Sequence, residues 1–140
     1  MRESIRISYP APRVAVVSLV GEHDLGDYVP LKVAFAKATT RAVNVVADLS
    51  LSAFIDSTVV SMLLLAQSLT LQDGGRLAVV LPDEPNPVTR TADLLNLPDL
   101  MPTYPTIEEA LASFPHASRA DLRHTTIEPG DTAADGVRTS

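Results

Sequence analysis

The chain has 140 residues, 46% of them hydrophobic but only 4% aromatic, and a net charge of −6. That length fits one domain with a substantial core, here built from Val, Leu, Ile and Ala. The acidic balance argues against non-specific nucleic-acid binding and against docking on anionic membranes. Zero cysteines exclude disulfides, thiolate metal sites and a cysteine nucleophile.

No run of eighteen apolar residues is present, so no spanning helix is expected. Met1-Arg2-Glu3-Ser4 leads straight into strand-like sequence, and neither a signal peptide nor membrane insertion is expected. Cytoplasmic residence is the resulting expectation. His23, His116 and His124 are scattered without the spacing of a zinc helix, and no metal or cofactor is expected.

In chain order, Ser4–Ser8 alternates polar and apolar residues and predicts a half-exposed strand closed by Pro10 and Pro12. Val14–Val20 is a near-continuous apolar run ended by Gly21 and predicts a central strand. After the polar loop Gly21-Glu22-His23-Asp24, a helix is expected from Tyr28 to Thr39. Asp27 would cap it, and Leu31, Ala34, Phe35 and Ala38 form its inward stripe. Val43–Leu49 reads as a buried strand, and a long apolar helix over 58–71 follows.

Gly74-Gly75 then marks a turn, and Arg76–Leu81 predicts another buried strand. Asn86-Pro87 is a helix start, with Asn as cap and Pro at the first position; Val88, Thr91, Ala92 and Leu95 face inward. Asn96 is expected to take the left-handed conformation at its end. Residues 98–105 are expected to be irregular, with a short strand at Met101–Tyr104. Thr106-x-x-Glu109 is a capping box opening a last helix with Ile107, Ala110, Leu111 and Phe114 inward, stopped by Pro115. Residues 1–115 therefore form the domain, and 116–140, poor in large apolar side chains, a flexible tail. Strands alternating with helices predict an α/β fold: a mixed sheet of four to five strands with about four helices.

Phe54-Ile55-Asp56-Ser57-Thr58 carries the functional signal. Two hydroxyls and a carboxylate sit where the chain passes from strand to helix, and four N–H groups there lack partners. A phosphate added at such a turn would meet a positive dipole end. Plain capping and a phosphorylation switch are both open on these five residues alone.

Three segments in order add a resemblance. Gly21-Glu22-His23-Asp24-Leu25 resembles a G-E-x-D-hydrophobic loop. Asp48-Leu49-Ser50 followed by Phe54–Thr58 resembles a D-L-S…I-D-S-[ST] signature. Pro85–Val88 running to Leu95-Asn96-Leu97 is similar to a proline-started helix ending in L-x-G-L. Together they resemble the STAS domain of anti-sigma factor antagonists over roughly residues 4–114.

The resemblance implies a regulatory protein with no enzymatic activity of its own. Thr58 would be phosphorylated, with Ser57 the second choice, by an anti-sigma factor serine/threonine kinase. A PP2C-type phosphatase would remove the phosphate. The unphosphorylated form would bind the kinase and release a sigma factor. Asp56, Ser57, Asp24 and Glu22 would shape the site. Two departures stand out: Val59 replaces a frequent glycine after the phosphosite and would narrow access, and Asn96 replaces another.

The helix after Thr58 is apolar on several faces, so Val59, Met62 and Leu65, with Leu69, are expected to offer a docking surface or to be covered by neighbouring helices. The alternative function is a STAS interaction module that is never phosphorylated, such as a cytoplasmic subunit of a lipid-transport ABC complex. A hydrolytic triad of Ser57, His23 and Asp24 is discounted for want of a nucleophile elbow. Arg90 is expected to face solvent.

Overall fold

The computed structural model describes residues 4–22, 28–83 and 86–115. The expected tail, the Asp27 cap, and His23 and Asp24 lie outside the described residues. No helix among the described residues is long and apolar enough to cross a membrane.

Strand β1 (Ser4–Ala11) pairs antiparallel with β2 (Val14–Glu22), from Ser4↔Val20 to Ala11↔Val14. Helix α1 (Tyr28–Arg41) leads to β3 (Asn44–Asp48), which lies parallel to β2 over Val14↔Asn44 to Ser18↔Asp48. A short β4 (Ser52–Phe54) and the long α2 (Ser57–Gln72) follow, then β5 (Arg76–Val80) parallel to β3. Helix α3 (Pro87–Leu94), the single turn α4 (Leu97–Leu100), β6 (Thr103–Tyr104) and α5 (Ile107–Ala112) complete the order. The sheet runs β1-β2-β3-β5-β6, with β4 attached to the far end of β2.

Both faces of this sheet are covered, which is why its central strands read as continuous apolar runs. Ala15, Val17, Val45, Ala47, Leu77 and Val79 face Leu31 and Phe35 of α1, Leu63 and Ala66 of α2, and Val88 and Ala92 of α3. Their alternates Val14, Val16, Val46, Ala78 and Val80 face Ala110 and Phe114 next to α5. The period of two therefore sorts one set of strands between two apolar layers.

Several boundaries differ from the sequence-based expectation, each for a physical reason. Strand β1 continues through Pro10 to Ala11 because it is an edge strand, and the register is irregular between Ser8 and Ala11. A residue without an N–H is tolerated at such an edge. Helix α2 begins at Ser57, one residue before the expected 58. Leu95, expected inward, is 37% exposed. Part of the expected irregular connector is α4, with Pro98 in its first turn, where its missing N–H costs nothing. The expected strand there is confined to Thr103–Tyr104.

Gly74 and Gly75 turn α2 into β5 for different reasons. Gly74 has φ +84 in open space, whereas a Cβ on Gly75 would overlap the Val43 carbonyl oxygen. We expect Gly75→Ala to destabilise by about 3 kcal/mol through forced overpacking. Gly74→Ala should cost about 1 kcal/mol through its left-handed backbone. Urea denaturation of the two variants checks the order; equal losses would show that Val43 moves aside freely.

Candidate functional site

The site is assembled where β2, β3 and β4 diverge. Strand β3 pairs with β2 only as far as Asp48, and β4 then takes up the pairing at Gly21↔Ser52 and Glu22↔Phe54. Asp48, only 4% exposed, holds this fork. One carboxylate oxygen accepts from the Ser50 amide at 3.0 Å and the Ser50 hydroxyl at 2.6 Å, and the other accepts from the Ser18 hydroxyl at 3.3 Å. The Ser52 hydroxyl donates to the Leu19 carbonyl at 2.6 Å, and the Gly21 amide donates to the Leu51 carbonyl at 3.1 Å. Asp48-Leu49-Ser50 is thus a turn that returns the chain to β2. This role for Asp48 and Ser52 was not anticipated, although the spacing of Asp48 and Ser50 fits a side-chain-to-backbone turn.

From β4 the chain enters α2 through Ile55, which is fully buried and so fixes where the helix starts. The Thr91 hydroxyl of α3 reaches the Ile55 carbonyl at 3.4 Å. Asp56 is the N-cap, with φ −123 and ψ −172. Its Oδ1 accepts from the Thr58 amide at 2.9 Å and the Val59 amide at 3.4 Å. Ser57 is exposed and Thr58 half-buried in the first turn. Among the described residues no hydrogen bond of the Thr58 hydroxyl occurs. The cap, an exposed serine and a half-buried threonine therefore coexist at one helix end.

Glu22 is exposed and lies opposite Phe54, so an acidic side chain stands two residues along β4 from the Asp56 cap. Asp24 lies outside the described residues. Arg90 is exposed, as expected. The anion site expected at the start of α2 is already served, because Asp56 occupies two of its free amides.

Two of the three expected docking residues are corrected. Val59 is fully buried and Met62 is 4% exposed, both packed into the main hydrophobic core. They follow the inward stripe of α2 with Val60, Leu63 and Ala66. The branched side chain of Val59, which stands where glycine is frequent, lies in the core and not at the surface of the first turn. Leu65 is 44% exposed and Leu64 37%, while Leu69 is half-buried. The outward face of α2 thus carries Ser57, Ser61, Leu64 and Leu65, with Phe54 exposed on β4.

The family model described as "Mlab, STAS domain" matches residues 10–102. This chain belongs to that STAS-domain family. Its fold is that of the anti-sigma factor antagonist SpoIIAA in its unphosphorylated form, which is 20% identical, with 77% of this chain and 93% of that chain covered and a TM-score of 0.65. The phosphorylated form of Bacillus SpoIIAA covers 78% of this chain and 97% of its own at 20% identity, with a TM-score of 0.60. An anti-sigma factor antagonist from Mycobacterium paratuberculosis is 27% identical, with 79% and 92% covered and a TM-score of 0.63. Among curated proteins none matches this chain. Glu22 at the end of β2 pairs with Phe54, two residues before the Asp56 cap, so the β2 end and the start of α2 lie at one end of the sheet.

Removing the cap should be measurable. Asp56→Ala is expected to lose about 1 kcal/mol by leaving first-turn amides unpaired. Asp56→Asn should keep most of that, since an amide oxygen also caps. Urea midpoints of the two variants test this, and equal destabilisation would mean that the carboxylate charge, not the hydrogen bonds, holds the turn.

Proposed function

We propose that this STAS-domain protein is an anti-sigma factor antagonist switched by phosphorylation at Thr58. Unphosphorylated, it binds an anti-sigma factor serine/threonine kinase and thereby frees a sigma factor; phosphorylated, it lets go. A PP2C-type phosphatase restores the binding form. The observation that carries this reading is the start of α2: a half-buried Thr58 whose hydroxyl has no hydrogen-bond partner among the described residues, beside an exposed Ser57, on a helix end fixed by Asp56 and Ile55. Likeness to an antagonist known in both phosphorylated and unphosphorylated forms supports it.

The charge argument follows from the cap. A phosphate on Thr58 adds about −1.5 to −2 charges at neutral pH. It arrives beside the Asp56 carboxylate and near Glu22, and the helix end returns only about 0.3–1 kcal/mol. In a partner interface the same charge must also shed water. Each loss of about 1.4 kcal/mol weakens binding tenfold, so release requires no refolding. The exposed Phe54, Leu64 and Leu65 extend an apolar contact from the hydroxyl pair, and the kinase would cover them in the bound state.

The test is phosphorylation by the cognate kinase with ATP, read by intact mass. Thr58→Ala is expected to take up no phosphate, Ser57→Ala to remain a substrate, and Thr58→Glu to bind the kinase about tenfold more weakly at unchanged circular dichroism. Labelling that persists in Thr58→Ala would move the site. A wild-type chain that takes up no phosphate yet stays bound to a membrane ABC complex would instead establish the unswitched interaction module.

A further inference from the structure

Helix α1 is apolar on two opposite faces. One is the core stripe Leu31, Ala34, Phe35 and Ala38. The other points to solvent: Val29, Val33, Ala36 and Thr40 are all exposed, at i, i+4, i+7 and i+11, with Val29 65% and Val33 47% accessible. A surface helix ordinarily turns polar side chains outward along this line.

The two threonines near its end do not restore that polarity. The Thr39 hydroxyl donates to the Phe35 carbonyl at 2.8 Å and the Thr40 hydroxyl to the Ala36 carbonyl at 2.7 Å. Their hydroxyl donors are therefore spent within the helix, where they offer no proton to solvent or a partner.

Within the helix itself, charge borders this row in one sign only. Lys32 and Lys37 flank it on opposite sides, Arg41 ends it, and the helix has no acidic residue in a chain with 17 acids and 11 bases. Two of the three cations lie over aromatic rings: the Lys32 ammonium is 5.9 Å from the Tyr28 ring centre, and the Arg41 guanidinium 4.1 Å from that of Tyr9.

We infer that the outward face of α1 docks a segment of a partner protein carrying an apolar row bordered by carboxylates. Apolar contact along Val29, Val33 and Ala36 supplies the burial, and Lys32 and Lys37 fix the register by pairing across the rim. A lipid surface fits less well, because valine and alanine reach little depth and a net charge of −6 is repelled by anionic headgroups. A second copy packed on the same face would set lysines against lysines. This surface lies on a different helix from Thr58 and does not depend on phosphorylation.

The test places a photoreactive p-benzoyl-phenylalanine at Val33 in the full chain, expressed in its own cells, with adducts mapped by peptide mass spectrometry. The expected adduct is a peptide with at least two carboxylates within about one helical turn of the attached apolar residue. Lys32→Glu combined with Lys37→Glu should lower its yield about tenfold, while Thr58→Ala leaves it unchanged. No adduct, an adduct to a second copy or to lipid, or a yield indifferent to charge reversal would each overturn the inference.

Discussion

The Asp48 carboxylate is the constraint on which the geometry of this molecule depends. It joins Ser18 of β2 to Ser50 in the turn beyond β3, at the point where the two strands stop pairing. A carboxylate this buried is tolerable only with its oxygens hydrogen-bonded, and three donors meet it here. Because the turn is fixed, β4 returns to the end of β2, and the chain must enter α2 beside Glu22. The first turn of α2 inherits its position from a residue eight places upstream.

Helix α2 shows how a single start position distributes an apolar sequence between core and surface. With Ile55 sunk in the core and Asp56 capping, Val59, Val60, Met62, Leu63 and Ala66 go inward, and Ser57, Ser61, Leu64 and Leu65 go outward. The hydroxyl pair and the exposed leucines therefore share one face. A shift of the start by one residue would rotate the helix by about 100° and change which side chains share the outward face.

Legibility in the sequence followed the range of the interactions involved. Helix α3 was readable because its cap is local: the Asn86 side chain accepts from Val88 and Thr89, the Thr89 hydroxyl accepts from the Asn86 amide, and Pro87 follows. Asn96 was readable for the same reason, and it does adopt φ 56. The α1 stripe and the continuous central strands were equally plain from periodicity. Strand β4 was not, since three residues with only Ser52 buried make no pattern, and their pairing partner lies some thirty positions away. The one-turn α4 was hidden because Pro98 reads as a breaker until its place in the first turn is known. At the candidate site, the motif placed Asp56, Ser57 and Thr58 correctly at a helix start. The inward direction of Val59 and Met62 was not legible, because a helix apolar on several sides does not reveal which side meets the sheet.

The Asp56 cap also limits what a phosphate on Thr58, if added as proposed, would do to the free protein. An unoccupied helix start would draw the new oxygens onto its amides and remodel the turn. Here Asp56 already accepts from the Thr58 and Val59 amides, so such a phosphate would have few local donors to win and would remain a projecting charge. With the core side of the helix fixed by the buried Ile55 and Val59, that charge would act outward, toward any partner covering the exposed Leu64, Leu65 and Phe54. A rigid, already-capped helix start therefore favours a switch read by the partner over one read by refolding of the chain.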